Sequence, residues 1–113
     1  MAGGPRIGVD LGGTNARAAV VDPVTGAVLA AEKRAHVERS PIAVARSVAE
    51  TVRAAAAQAG VELGALAGVG IGVGVAGQCE GTTGVVINAP NLGWRDAPFG
   101  DLLKQELGLE IGW

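Results

Sequence analysis

The chain has 113 residues and a formal net charge of −2, and 49% of its residues are apolar. This length suits one small domain with a core, and the absence of a basic run excludes sequence-independent binding to nucleic acid. Cys79 is the only cysteine, which excludes an internal disulfide, and there is no Cys/His cluster for zinc. The longest apolar stretch, residues 69–77, is too short to span a bilayer, and the start lacks a signal core. We therefore expect a cytoplasmic protein that binds neither nucleic acid nor membranes.

The first part of the chain is predicted to form three strands, over residues 6–11, 17–22 and 27–33. The connections between them are short, and residues 23–26 form a turn of the Pro-x-x-Gly kind. Connections of this length join antiparallel neighbours, so we expect a three-stranded antiparallel meander.

A long helix is predicted after the third strand. Ser40 is a good N-cap residue, Pro41 suits the first helical position, and Gly60 is a typical C-cap residue. The residues expected on its buried face, at helical spacing, are Ile42, Ala45, Ala49, Val52, Ala56 and Ala59.

The second half of the chain alternates between strands and a helix. Residues 69–75 are predicted to form a glycine-rich strand parallel to the first strand, because a helix crossover connects the two. Residues 82–87 form a short extended segment, Asp96 caps a second helix, and residues 109–113 form a last strand. The expected order is βββ-α-β-α-β in one α/β domain with a mixed sheet.

The turn between the first two strands carries chemistry-bearing residues. Asp10 lies at the end of the first strand, and Gly12 and Gly13 are followed by Thr14 and Asn15. Adjacent glycines expose backbone N–H groups, Thr and Asn add side-chain donors, and a carboxylate can hold Mg²⁺. A plain hairpin turn is the alternative, but it needs neither the Asp nor the Thr-Asn pair. The whole pattern favours a nucleotide phosphate loop.

Residues 72–77 match the letters G-x-G-x-x-G of dinucleotide-binding turns. That motif must lie between a strand and a helix, whereas here it lies in an apolar strand followed by a polar loop. The alternating glycines have a steric interpretation instead, in which a helix or ligand approaches one face of the strand.

A second polar region follows that strand. Gly77 and Gln78 lie just past its end, where ligands of α/β sheets often bind, although these residues by themselves favour a plain connector. Further on, Asn88 and Asn91 flank an Ala-Pro pair and Trp94 follows. Asn side chains suit a polyhydroxylated ligand, but Asn and Pro also form ordinary turns, and the indole could be a core anchor. The residues alone leave both interpretations open.

Taken together, these segments resemble the N-terminal part of the glucokinase-type sugar kinases of the ROK family. The resemblance rests on residues 10–17, 72–84 and 89–94, whose order and spacing agree with that family, and it spans nearly the whole chain. It implies an actin-like, Hsp70-like ATPase fold of the ribonuclease H type, with two lobes around a cleft. Residues 1–113 would be the first lobe, without the second.

The resemblance also implies roles for individual residues. Asp10 would lie near Mg²⁺, Thr14 near the transferred phosphate of ATP, and Asn91 beside the hexose, whereas Arg17 is expected in a surface or inter-lobe ion pair. The residues implied to bind the nucleotide phosphates are Asp10, Gly12, Gly13, Thr14 and Asn15, and those implied to line the sugar pocket are Gly77, Gln78 and Asn91.

The family's catalytic base is an Asp in a Glu-Asn-Asp motif after the strand that follows the second helix. That motif is absent here, and the corresponding position lies beyond Trp113. His36 matches no family motif and is expected to be solvated. Because the base is missing, we expect a fragment that by itself does not phosphorylate glucose. We also expect it to self-associate or to bind a complementary lobe. Which hexose it takes, and whether ATP or polyphosphate is the donor, stay open.

Two other functions are compatible with parts of the sequence. One is a sugar-sensing regulator of the same family, although such regulators carry a DNA-binding helix-turn-helix before the first strand. The other is an actin-like ATPase lobe that serves assembly rather than metabolism. A polymerising ATPase has no need of the sugar-side segment 89–94, which argues against the latter.

Overall fold

An antiparallel meander opens the fold: β1 (Arg6–Leu11), β2 (Asn15–Val21) and β3 (Val28–Ala35). The computed structural model describes residues 4–66 and 70–113. Along β1 buried and exposed residues alternate, as in a strand with one face on a core. The predicted meander is confirmed, with β2 and β3 displaced by one or two residues at their ends.

A helix crossover joins the meander to a parallel strand, as expected. Helix α1 (Pro41–Ala59) begins after Ser40, whose hydroxyl accepts a hydrogen bond from the Ala43 N–H at 3.3 Å, and it ends at Gly60 with φ 70°. Strand β4 (Ile71–Val75) pairs in parallel with β1. The predicted start of this strand, at residue 69, lies outside the described residues.

More residues of α1 are buried than predicted, and its buried face begins only after the first turn of the helix. Ile42 was expected to be buried but is 45% exposed, because the core contacts begin only at Val44. The buried positions advance in pairs along one side of the helix, which is the pattern of a helix lying flat on a sheet. They are Val44, Ala45, Val48, Ala49, Thr51, Val52, Ala55 and Ala56.

A small second sheet, which the sequence did not indicate, separates β4 from the next helix. Its strands are β5 (Gln78–Cys79), β6 (Val86–Ala89) and β7 (Trp94–Ala97), in that order and antiparallel. The prediction of an extended segment over residues 82–87 was wrong in its first half. The Glu80 carboxylate accepts hydrogen bonds from the N–H and the hydroxyl of Thr82, which stabilises a turn there.

Helix α2 (Phe99–Leu107) begins after Pro98 rather than at Asp96. Asp96 belongs to β7 and has φ 50°, so its predicted role as the N-cap was wrong. A polar residue before a helix indicates a cap only if the helix begins there, and here Asp96 lies within β7, between Arg95 and Ala97, which both pair with β6. Strand β8 (Ile111–Gly112) pairs in parallel with β4 and is shorter than the predicted strand over residues 109–113.

The main sheet has five strands in the order β3-β2-β1-β4-β8 and is covered unequally on its two faces. Helix α1 packs against β1, β2 and β3, and α2 packs against α1. On the opposite face Gly8, Asp10 and Arg17 are exposed, together with Gly72 and Gly74 of β4. This side is called the open face below. No helix in the described ranges combines the length and the apolarity that a membrane span requires.

Candidate functional site

The carboxyl ends of the parallel strands β1 and β4 bring the predicted site segments together. The Ala76 N–H donates to the Leu11 carbonyl at 3.0 Å, just past the end of both strands. Residues 12–14, called the phosphate loop below, therefore start beside residues 77 and 78 although more than sixty positions separate them in the chain. This is the edge of an α/β sheet at which ligands commonly bind.

The phosphate loop is also a tight hairpin turn, so the plain structural interpretation of this segment holds as well. The Gly12 N–H donates to the Asn15 carbonyl at 3.0 Å and closes the turn between β1 and β2. Thr14 is exposed, and Asn15 is half-buried as the first residue of β2. The hairpin is not free-standing, however, because the segment between β3 and α1 contacts it.

All three carbonyls of the phosphate loop accept hydrogen bonds from that segment. The His36 ring Nε2 lies 2.8 Å from the Gly12 oxygen, and the Arg39 Nε donates to the Gly13 oxygen at 3.0 Å. The His36 backbone N–H donates to the Thr14 oxygen at 2.9 Å. The orientation of each peptide unit in the loop is thereby set from one side.

This orientation determines where the loop's N–H groups point. Every peptide bond in the described chain is trans, so the C=O and N–H of one peptide unit point in opposite directions. With the Gly12 and Gly13 carbonyls directed at His36 and Arg39, the N–H groups of Gly13 and Thr14 point away from them. Neither N–H has a hydrogen-bond partner within the part of the chain that the structure describes. Two such adjacent donors suit an anionic oxygen.

The sugar-side residue Asn91 packs directly on the phosphate loop. A Cβ placed on Gly13 would lie 2.4 Å from the Asn91 Cβ and 3.1 Å from its backbone oxygen. Glycine is thus required at position 13 because the two segments approach so closely. The Asn91 residue itself is exposed, in the turn between β6 and β7.

Gly77 and Gln78 join the same region through the small sheet. Gln78 pairs with Asn88, and a Cβ on Gly77 would lie 2.4 Å from the Asn88 oxygen. The close packing against β6 therefore explains why residue 77 is a glycine. Gly77 would contact a ligand only through its backbone. The Gln78 residue is exposed and can present its amide to solvent or to a ligand.

Asp10 lies on the open face at the start of the phosphate loop. Its strand partners are Arg17 on β2 and Gly74 on β4, and it is exposed. No group of three metal-ligating side chains exists among the described residues. A Mg²⁺ ion bound together with phosphates needs only one or two carboxylates and keeps several waters, so Asp10 fits such a metal. Arg17 was expected in a surface or an inter-lobe ion pair. It forms no ion pair with the residues described, so the surface pairing is not found and the inter-lobe pairing stays a prediction.

Two residues of this region were missed or misjudged from the sequence, and for a third the structure decides between the interpretations left open. His36 was expected to be solvated, but it is half-buried against Gly12. Arg39 was not considered, although it contacts Gly13. Trp94 is buried as a core anchor, and its Nε1–H donates to the Arg39 carbonyl. No motif marks His36 or Arg39, since both act by reaching backbone atoms that lie far away in sequence.

Cys79 and Glu80 follow Gln78 and are electrostatically linked. Burial raises the pKa of the Cys79 thiol, and the neighbouring Glu80 carboxylate raises it further. The hydrogen bonds from the Thr82 N–H and hydroxyl lower the pKa of Glu80. Cys79 is therefore a thiol rather than a thiolate near neutral pH, which argues against nucleophilic chemistry here.

The glycine pattern over residues 72–77 has no dinucleotide-binding geometry. Its first part lies in β4 and its end leads into β5, so no helix follows the motif. A Cβ on Gly72 would meet nothing within 4 Å among the described residues, because this glycine faces the open side of the sheet. The rejection of the dinucleotide interpretation is confirmed.

Comparison with known proteins identifies the same family as the resemblance found in the sequence. The ROK family profile matches residues 6–113. A glucokinase of Streptomyces coelicolor is 33% identical over 108 residues, which are 96% of this chain and 31% of that protein. A solved ROK glucokinase of Streptomyces griseus, in complex with glucose and AMPPNP, is 34% identical with a TM-score of 0.70, over 96% of this chain and 32% of that one.

A solved ROK transcriptional regulator, a homologue of the Escherichia coli MLC protein, has a TM-score of 0.75 over 96% of this chain and 26% of that one. Because it is only 16% identical, this likeness shows the fold alone. The chain thus has the fold of one part of an actin-like ATPase and spans about a third of the length of its glucokinase relatives. It belongs to the ROK family.

Proposed function

We propose that this chain is the phosphate-binding lobe of an ATP-dependent sugar kinase of the glucokinase type. The reaction is transfer of the terminal phosphoryl group of ATP to the 6-hydroxyl of glucose or a related hexose. The observation that carries the proposal is the contact between Gly13 and Asn91, because it joins a loop suited to phosphate with a segment suited to sugar. Phosphoryl donor and acceptor must lie about 3–3.5 Å apart for transfer, so their binding segments have to be adjacent.

In this proposal the phosphate loop orients the donor. The free N–H groups of Gly13 and Thr14 and the Thr14 hydroxyl donate to phosphate oxygens. Asp10 holds the Mg²⁺ that accompanies ATP, and this ion neutralises charge on the phosphates when bound. Fixed donors of this kind accelerate phosphoryl transfer mainly through positioning and charge stabilisation.

The sugar is held on the other side of the same contact. The exposed amides of Asn91 and Gln78 can each donate to and accept from sugar hydroxyls. Gly77 supplies backbone close to the pocket without a side chain, as its packing against Asn88 requires. The proposed compartment is the cytoplasm.

A nuclear magnetic resonance titration tests this assignment. Addition of Mg²⁺-ATP, or of polyphosphate as an alternative donor, should shift the amide signals of residues 12–15, and glucose should shift those of Gln78 and Asn91. Asn91→Ala should weaken the response to glucose, whereas Thr25→Ala, in the distant turn between β2 and β3, should not. ATP-induced shifts confined to residues outside the phosphate loop would contradict the proposal.

The same titration separates the two alternatives. A response to ATP without one to any hexose would favour an assembly ATPase. A response to hexose without one to ATP or polyphosphate would favour a sugar-sensing regulator. The kinase is preferred because the relatives at 33% and 34% identity are glucokinases.

We further propose that the chain is inactive alone and requires a complementary lobe. No Glu-Asn-Asp sequence is present, and the open face leaves Gly8, Gly72 and Gly74 exposed for a partner or a second copy. Lack of a general base costs about 10²- to 10⁴-fold in rate, and transfer also depends on positioning of both substrates. Purified chain should therefore form no glucose 6-phosphate above a mock-purified blank. Formation of product by the chain alone, in proportion to its concentration, would refute this.

A further inference from the structure

The segment between β3 and α1 forms hydrogen bonds with the phosphate loop. Among the described residues, all of these bonds are accepted by backbone carbonyls of the loop. The side chains of His36 and Arg39 and the His36 backbone N–H reach three consecutive carbonyls, at 2.8–3.0 Å. The backbone of Arg39 is held by the core, because the buried Trp94 donates its Nε1–H to the Arg39 carbonyl. These contacts form a continuous chain from the core to the phosphate loop.

The chemistry of the His36 contact determines its tautomer. A backbone carbonyl can only accept, so the Nε2 atom at 2.8 Å from the Gly12 oxygen must carry the proton. The other ring nitrogen, Nδ1, is buried and has no hydrogen-bond partner among the described residues. The one side-chain hydrogen bond that the ring forms among the described residues therefore goes to the phosphate loop, while its other nitrogen is buried without a partner.

We propose that His36 and Arg39 are positioning residues that hold the phosphate loop ready for phosphate oxygens. The inference rests on the proposed function of that loop. By drawing the Gly12 and Gly13 carbonyls to one side, the two side chains direct the N–H groups of Gly13 and Thr14 to the other. Neither His36 nor Arg39 need touch the ligand.

A loop with two adjacent glycines needs such support. Glycine has the largest backbone freedom of all residues, so an untethered Gly-Gly segment would sample many peptide orientations. Ordering it would then lower the affinity for the ligand, whereas a loop ordered in advance avoids that loss. The tethers thus affect binding of phosphate more than global stability, and this difference separates a positioning role from a merely structural one.

The test compares variants in affinity for Mg²⁺-ATP and for tripolyphosphate, with stability measured alongside. His36→Gln keeps an N–H at the place of Nε2 and should bind within about twofold of the original chain. His36→Ala and Arg39→Ala should each weaken binding about 3- to 10-fold, which corresponds to one hydrogen bond. The matched controls are Arg34→Ala, which removes an exposed ion pair with Glu50, and Thr51→Val, which removes a hydrogen bond inside α1; both should keep full affinity.

A second readout does not depend on ligand binding. Nitrogen chemical shifts of the imidazole should show the proton of neutral His36 on Nε2, and His36→Ala should move the amide signals of Gly13 and Thr14. Arg39 is exposed, so Arg39→Ala should remain folded even if His36→Ala does not.

Each outcome decides between the possibilities. A neutral His36 ring with its proton on Nδ1 instead of Nε2, or unchanged Gly13 and Thr14 signals in both alanine variants, would overturn the positioning role. Unchanged affinity in His36→Ala and Arg39→Ala would overturn it as well. If the original chain binds neither ATP nor tripolyphosphate, the proposed function fails, and the positioning role for a phosphate ligand fails with it, while the tautomer and amide signals still report whether the tethers exist.

Discussion

Replacement of Gly13 by alanine should weaken binding of Mg²⁺-ATP or tripolyphosphate by about 5- to 150-fold, which corresponds to an overpacking penalty of about 1–3 kcal/mol. The added Cβ would lie 2.4 Å from the Asn91 Cβ, far inside any carbon–carbon contact. Either the phosphate loop or the turn carrying Asn91 must move, and both are proposed to bind the substrates. Affinity from calorimetry or fluorescence competition measures the effect.

The control for this substitution is Gly72→Ala. Gly72 lies in β4 on the open face, and a Cβ there meets nothing within 4 Å of the described chain. Both variants add the same methyl group to a glycine of the same domain, so a difference between them reports the contact with Asn91. Full phosphate affinity in Gly13→Ala would show that the close approach does not position the loop.

The largest loss of stability is expected for Phe99→Ala. Phe99 is fully buried, its ring centroid lies 5.0 Å from that of Trp94, and it meets Trp113 edge-on at 5.9 Å. Removing such a ring costs about 3–5 kcal/mol through lost burial and the cavity left behind. A small domain has about 5–15 kcal/mol of stability in total, so this variant should lose a large share of its stability. Urea denaturation followed by circular dichroism measures the free energy of unfolding.

Val37→Ala is the control for that measurement. Val37 is 96% exposed, so its truncation should change the free energy of unfolding by no more than about 0.5 kcal/mol. A loss below about 1 kcal/mol in Phe99→Ala would mean that the aromatic cluster does not hold α2 and β7 together. Because Trp94 belongs to this cluster and also anchors Arg39, partial loosening should reach the phosphate loop as well.

Local signals made several features predictable from the sequence. Ser40 and Gly60 delimit α1 because capping uses atoms only a few residues away. The parallel pairing of β4 with β1 was predictable because a helix crossover leaves few other arrangements. The candidate phosphate loop was recognisable because glycines, Thr14 and Asn15 are adjacent in the chain.

Other features could not be predicted because their causes are distant in sequence. Asp96 is a residue type that often caps helices, yet its neighbours Arg95 and Ala97 pair with β6, so it lies within a strand. Ile42 has helical spacing with the buried residues, yet the first turn of α1 lies outside the core. The approach of the second sheet to the first depended on packing, as the contact of Asn91, between β6 and β7, with Gly13, between β1 and β2, illustrates.

The sequence by itself determined the family, the chemistry of the phosphate loop and the limits of the principal helix, since each is carried by side chains or turns within a short stretch. Only the tertiary structure decided how that loop is oriented. His36 reaches the Gly12 carbonyl across 24 positions of the chain, and Asn91 contacts Gly13 from the turn between β6 and β7. Hydrogen bonds to backbone carbonyls leave no residue signature at the accepting end, because every residue has that same group. The orientation of the loop's free N–H groups, on which the proposed phosphate binding depends, is therefore visible only in the folded chain.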